Sequence, residues 1–230
     1  MNKNLSLKTK QFFTLIILLY LTACAKHTWE YEPSTPTRLS PLFSKNLTIL
    51  PITDKRPSSA FLEWSAPLAL IPFIPYSKVR VIEYPEKGFI KFEGNPTEKL
   101  TQALMWELSN QNLFKKVIYN TQSKQSDYIL SGKLKRFRIK SYWSFYGLSL
   151  AGIGLWYLGA PAEKIHNDVI IEFKLTDTSG TCYFQKEYTA KSSRLLGFYY
   201  NQNIIQFEEP VKHIYLQLVN DLTDTIKKSK

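Results

Sequence analysis

Apolar and polar positions alternate along this chain with two distinct periods, and the periods divide it into elements. Leu47 to Ile52, LTILPI, is a short apolar run that stops at Asp54-Lys55-Arg56-Pro57, so it reads as a first strand followed by a turn. Asp54 and Arg56 read as a local ion pair at that strand end. Val79 to Tyr84 is a candidate further strand. Asn95-Pro96-Thr97-Glu98 then opens a helix: Asn95 suits the N-cap, Pro96 the first turn, and Glu98 the third position of a capping box. Leu100, Leu104 and Leu108 recur four apart, with Ala103 and Phe114 on or near the same face, and this stripe asks for a sheet to cover. Val117 to Tyr119 follows as a short strand.

From Asp127 to Tyr142 the period is two. Tyr128, Leu130, Gly132 and Leu134 share one face, whereas Phe137 and Ile139 continue the apolar pattern in the opposite phase. A phase change inside one strand needs an extra residue, which predicts a bulge near Lys135-Arg136. The other face carries Lys133, Lys135, Arg136, Arg138 and Lys140, the densest basic patch of the chain. Two readings of it stay open. It is a surface for lipid phosphates, lipopolysaccharide or an acidic partner, or it is the wet face of an antiparallel strand. Val169, Ile171, Phe173 and Leu175 alternate with Ile170, Glu172, Lys174 and Thr176, a half-buried strand. Asp177-Thr178-Ser179-Gly180 makes a turn, and Thr181 to Ala190 returns as the hairpin partner. Glu208-Glu209-Pro210 opens a last helix, whose stripe is Val211, Ile214, Tyr215, Leu218, Leu222 and Ile226. Its acids stand first and Lys227, Lys228 and Lys230 last, as the helix dipole favours. The order of strand, capped helix, strand, long strand, insert, hairpin and helix predicts an α+β fold. The sheet is mainly antiparallel, two helices pack on one face, and apolar inserts interrupt it.

Those inserts are two. Residues 59–77 contain Pro67, Pro72 and Pro75, which rule out a regular helix, and read either as packing over the sheet edge or as touching a membrane or partner. Ser141 to Ala162 runs without a single charge and is long enough to cross a bilayer. Its four glycines weaken a helix, and a crossing would separate strands that look like one sheet. It shows no polar face of the kind a spanning β-hairpin alternates. Three readings remain open: an apolar loop or broken helix packed on the domain, a hairpin dipping into a membrane, or a subunit interface. Trp143, Phe145, Tyr146, Leu148, Leu150, Ile153, Leu155, Trp156 and Tyr157 are its candidate membrane or partner contacts.

Upstream of every element, Lys3, Lys8 and Lys10 precede the apolar run FFTLIILLYLTAC, Phe12 to Cys24. A basic start, an apolar middle and small residues at the end are the parts of an export signal. The run of about a dozen residues falls well short of the ~20 that span a bilayer. Leu21-Thr22-Ala23-Cys24 resembles the lipobox of bacterial lipoproteins. The resemblance implies that signal peptidase II removes residues 1–23. Cys24 then carries a diacylglyceryl thioether and an amide-linked acyl chain such as palmitate. One acyl chain holds marginally at ~0.8 kcal/mol per buried CH₂, so two or three are what anchor stably. Ala25, rather than Asp, follows the cysteine, which in enteric-type bacteria resembles the outer-membrane pattern; inner-membrane retention stays open. Residues 24–45, rich in Pro, Ser and Thr, read as a lipidated tether with a mean reach of ~25 Å. Residues 46–230 read as a single periplasm-facing domain.

Charge fits that placement. The chain has 30 Lys+Arg against 19 Asp+Glu, a net +11, of which the signal accounts for three lysines. A positive surface suits anionic lipid headgroups or another acidic envelope surface, and an exported chain has little use for nucleic acid. With Cys24 consumed by lipid, Cys182 is alone, forms no internal disulfide, and reads as a small buried hydrophobe. His27, His166 and His213 have no metal or triad companion at a readable spacing, and no phosphate loop or G-x-S-x-G occurs. Catalysis, a metal and a cofactor are therefore not expected. The expected partners are a membrane, through Cys24, and an envelope protein or further copies of this chain. LTILPITDKR, a helix ending NLFKKV, and DYILSGKL together resemble periplasmic lipoprotein domains of the CsgG, LpoB and TolB N-terminal kind, over residues 46–140. That resemblance implies a secretion channel, an enzyme activator or an assembly module. Three functions follow: an accessory component of an envelope complex, a CsgG-like oligomeric export component with residues 141–162 in the membrane, or a lipid or envelope-ligand binder.

Overall fold

A computed structural model describes residues 30–36, 38–57, 71–83, 95–119, 126–200 and 207–228. The signal segment, Cys24, His27 and most of the first apolar insert lie outside the described residues. The strands are β1 (Phe43–Ile49), β2 (Thr53–Asp54), β3 (Tyr76–Glu83), β4 (Phe114–Tyr119), β5 (Tyr128–Ser144), β6 (Glu163–Asp177) and β7 (Cys182–Leu196). The helices are α1 (Pro96–Asn110), α2 (Ile153–Tyr157) and α3 (Glu208–Lys228), with a 3-10 turn at Ser149–Gly152 before α2. The fold is α+β.

One mixed, mostly antiparallel sheet runs β4-β1-β5-β6-β7. β1 is parallel to both β4 and β5, and β5, β6 and β7 form an antiparallel meander of long strands. The free edge of β5 is filled in turn by β1 at Tyr128–Leu130, by β2 at Lys133–Leu134 and by β3 from Arg138 to Ser144. The expected bulge is present. Pairing with β6 shifts register between Leu134 and Arg136, so Leu130 and Leu134 before it and Phe137 and Ile139 after it all face inward.

The core is one cluster. Leu100, Leu104 and Leu108 of α1 and Val211, Ile214, Leu218 and Leu222 of α3 bury against Leu47, Leu130, Leu134, Val169, Ile171 and Phe173 of the sheet. Each such side chain contributes about 1.5–3 kcal/mol on leaving water. Asn95 caps α1 by accepting from the Thr97 N–H at 3.1 Å, with Pro96 in the first turn. The fully buried Tyr215 ties α3 to α1 by donating its hydroxyl to the Leu100 carbonyl at 2.7 Å. Thr101 holds the chain after β1, accepting from the Ile52 N–H at 3.0 Å.

Local features differ from the sequence expectations in several places. Phe114, read on the helical stripe, instead opens β4 because the helix ends at Asn110. β1 begins at Phe43, four residues before the apolar run, because Phe43 pairs with Phe114 in β4. Cys182 is exposed at the first position of β7 rather than buried; the turn that precedes it leaves that end of the strand open to water. Finally, Tyr31, Ser34 and Arg38, inside the expected tether, lie against α1 and the turn after it. Tyr31 is buried and donates its hydroxyl to Glu107 Oε2 at 2.8 Å, and the Ser34 N–H donates to the same oxygen at 2.9 Å. The Asn110 side chain donates to the Ser34 carbonyl, and that of Asn112 to the Arg38 carbonyl at 2.8 Å.

Candidate contact site at the hairpin tip

The uncharged stretch 141–162 covers the end of β5 and its connection to β6. Its first four residues complete β5, and Glu163 already belongs to β6. Between them lie a tight turn, the 3-10 turn and the five-residue α2, so the described residues there form no strand pair that would cross a membrane. No helix among the described residues is long and apolar enough to cross one either.

Three segments build the tip. The Phe145 N–H donates to the Pro75 carbonyl at 2.8 Å and the Phe73 N–H to the Gly147 carbonyl at 2.9 Å, which seats residues 71–75 on the turn. The Ser144 N–H donates to Ala162, and the Ala162 N–H to Leu196 at 2.8 Å, which adds the chain after β7. Inside, Phe145, Trp156 and Ala162 form a buried cluster separate from the main core, with Ile153 packed against it. The rings of Trp143, Phe145, Trp156 and Phe198 meet at centroid distances of 5.6–6.4 Å. Polar side-chain atoms of the tip bond to its backbone carbonyls. Trp156 Nε1 donates to the Ser144 carbonyl at 2.7 Å, the Tyr146 hydroxyl to Pro161, and the Tyr199 hydroxyl to the Tyr157 carbonyl at 3.1 Å.

The nine candidate contacts therefore split by direction. Phe145 and Trp156 are the buried centre, Ile153 and Leu155 are half-buried, and Trp143, Tyr146, Leu148, Leu150 and Tyr157 face outward. The first group packs within the tip itself, and the last group lies open at its surface. Four outward residues were not singled out: Phe73, 90 % exposed, and Leu158, 82 % exposed, which lie in the two apolar inserts, and Phe198 and Tyr199, which lie outside both. Their signal was weak. Leu158 lies in the insert itself, but Phe73 and the pair Phe198-Tyr199 join it only through long-range hydrogen bonds. The tip also holds strained backbone: Phe73 at φ 71°, Tyr146 at φ 57° and Ser149 at φ 54° occupy the left-handed region. A non-glycine residue there costs about 1–2 kcal/mol, which the surrounding bonds must hold in place.

The basic patch is distributed differently from its appearance in the sequence. Lys133 Nζ lies 3.1 Å from Glu172, Lys135 lies 2.6 Å from both Glu172 and Glu187, and Arg136 lies 3.1 Å from Asp168. The Lys135 ammonium, then that of Lys133, hydrogen-bond Glu172 and hold its carboxyl below the ordinary range. These three cations thus lie against acids of β6 and β7. Arg138 and Lys140 lie further toward the tip, in register with Asp168 and His166. Burial first, then the charges of Lys164 and Lys140, lower the His166 pKa, and its ring meets Tyr142 edge-on at 5.4 Å. Asp54 and Arg56 form the expected local pair, bidentate at 2.9 and 2.6 Å. His213 lies beside Gln217 on α3 at 2.9 Å. Among the described residues no group of His, Cys, Asp and Glu is placed to hold a metal ion. A shallow groove of about 300 Å³ lies where Glu30 and Tyr31 pass Lys99, Gln102 and Trp106.

No protein-family model matches this sequence, and no curated protein matches it. Solved structures do. Protein XCC0632 from Xanthomonas campestris, of the family DUF330, is similar at TM-score 0.53 and 15% identity, covering 89% of this chain and 98% of that one. A candidate lipoprotein from Caulobacter crescentus CB15 matches at TM-score 0.38 and 12% identity, covering 60% and 88%. A minor lipoprotein from Acinetobacter baumannii matches at TM-score 0.23 and 9% identity, covering 82% and 95%. The neighbours thus include chains described as lipoproteins, and what this chain shares with the Xanthomonas protein is the fold.

Proposed function

We propose that this chain is a non-catalytic envelope lipoprotein, anchored by an acylated Cys24 and facing the periplasm from the outer membrane. In this reading it is an accessory or assembly component of a cell-envelope complex. The observation that carries the reading is the tip: an α+β domain extends its longest strands to present apolar side chains to the outside. Soluble domains rarely leave such a patch without something to set against it. The lipobox-like Leu21-Thr22-Ala23-Cys24 supports the anchor, and the basic composition suits an acidic envelope surface. The CsgG-like reading asks residues 141–162 to cross the membrane as a hairpin; the turns and short helix found there favour contact over crossing.

Metabolic labelling with palmitate tests the anchor. The wild-type protein is expected to carry label and sediment with membranes, and Cys24→Ser to lose both. An unlabelled protein with an intact Met1 overturns the proposal. Site-specific cross-linking from position 150 or 158 in cells then identifies what the tip touches. Cross-links arising only from the opposite end, for instance from Thr178, would remove the tip as the contact.

A further inference from the structure

Charge and polarity at the tip commit it to one kind of surface. Segments 138–166 and 191–200 carry Arg138, Lys140, Lys164, Lys191 and Arg194 and, within them, the single acid Glu163. Arg194 lies 4.0 Å from Glu209, and Arg138 and Lys191 are in register with Asp168, so Lys140 and Lys164 are the cations set nearest the tip. Glu163 is itself engaged by the Ser141 hydroxyl. Four strand residues separate Lys140 from the end of β5, about 13 Å, so cations stand just behind the apolar end and none within it. Leu148, Leu150, Tyr157 and Leu158 are exposed, while the polar groups of Trp156, Tyr146 and Tyr199 are bonded to backbone carbonyls. An apolar, Tyr- and Trp-rich end with lysines and arginines set back from it matches the layering of a bilayer surface. Acyl chains and carbonyls meet the aromatic groups, and phosphates meet the cations. A second copy of this chain would instead set the same cations against one another across a two-fold axis.

We propose that the hairpin tip is an interfacial lipid-binding site that dips Leu148, Leu150 and Leu158 into an anionic bilayer surface, with Lys140 and Lys164 on the headgroup phosphates. This rests on the reading of the chain as an envelope protein, and names the surface that its tip meets. The site is independent of the acyl anchor and short of spanning the membrane.

The test uses the full mature chain with Cys24→Ser, mixed with vesicles of phosphatidylcholine alone or of phosphatidylcholine with phosphatidylglycerol. Sedimentation with the anionic vesicles and a blue shift of tryptophan emission are expected, both weakening as salt rises, with little binding to neutral vesicles. Leu150→Asp with Leu158→Asp is expected to lower the partition coefficient about tenfold or more, and Lys140→Gln with Lys164→Gln to remove the preference for anionic lipid. Circular dichroism confirms that the variants are folded. Absence of binding to either vesicle overturns the proposal. So does equal binding by the Leu150→Asp/Leu158→Asp variant. A doubled mass in solution that those substitutions abolish also overturns it and assigns the tip to a second copy. Failure here with Cys24 still labelled in cells removes the lipid-binding tip alone, whereas loss of labelling removes the envelope reading.

Discussion

Glu107 falls three residues after Leu104 and one before Leu108, on the stripe that α1 turns to the core, and it is fully buried. A carboxyl group there requires partners. It has them in Tyr31, the Ser34 N–H and the Gln111 amide, the last at 3.0 Å. Glu107→Ala is expected to cost about 3 kcal/mol, because it strands several buried donors, whereas Tyr31→Phe removes one bond and should cost about 1 kcal/mol. Urea unfolding measures both; equal and negligible effects would mean that the segment is not docked in solution. Asp127 gives a second prediction at this scale. The Asn46 N–H at 2.8 Å, then Lys45 at 3.0 Å, hold its carboxyl below the ordinary range. Its folded pKa thus lies below its unfolded one, so the unfolded chain binds the extra proton. The stabilisation is complete only above about pH 5, where the unfolded carboxyl is also ionised, and disappears as pH falls through the unfolded and then the folded value. The urea midpoint of the wild type should therefore drop more steeply than that of Asp127→Asn between about pH 5 and pH 3. Glu107 was legible in principle, as an acid on an apolar stripe. Its partner was not, since Tyr31 sits among prolines and threonines with no period to place it.

At the scale of elements, local pattern was enough wherever one face of a helix or strand decided the outcome. α1, α3, the β6–β7 hairpin and the bulge at Lys135 all follow from a 3.6 or 2.0 period and its interruptions. The parallel pairing of β1 with β4 and β5 does not, because neighbours in a sheet are chosen by long-range packing rather than by spacing. Cross-strand charge pairs failed for the same reason: Lys135 and Glu172 look unrelated until β5 and β6 are in register. The tip is a unit of its own, with a cluster distinct from the main core. Replacing residues 146–160 with an Asn-Gly turn should therefore leave a cooperatively folded domain, within about 2 kcal/mol of the wild type. Failure to fold would make the insert part of the core. Gly152 offers a finer test. A Cβ there would meet the Phe145 carbonyl oxygen at 2.1 Å, so Gly152→Ala should rearrange the aromatic cluster and shift tryptophan emission while far-ultraviolet dichroism stays unchanged.

For the molecule as a whole, the sequence carried a general α+β architecture, but the arrangement of its ends emerged only in three dimensions. Tyr31, Ser34 and Arg38 are bonded to α1 and the turn after it, and trypsin reports on that contact. Cleavage after Arg38 should be faster in Glu107→Ala than in the wild type, and an unchanged rate would show that the segment stays in place without its acceptor. The ring of Tyr31 meets Tyr215, which meets Phe173, which pairs with Gly132. From Gly132 to Ser144 the strand covers about 40 Å. Only seven peptide links join Cys24 to Tyr31, a mooring line of at most ~25 Å however it is drawn out. A molecule tied down at the cysteine and resting its aromatic end on the same leaflet therefore has no room to stand erect. Under those two proposals such a molecule would recline, its long axis slanted toward the membrane plane, with the clasp at Glu107 setting how steep that slant becomes.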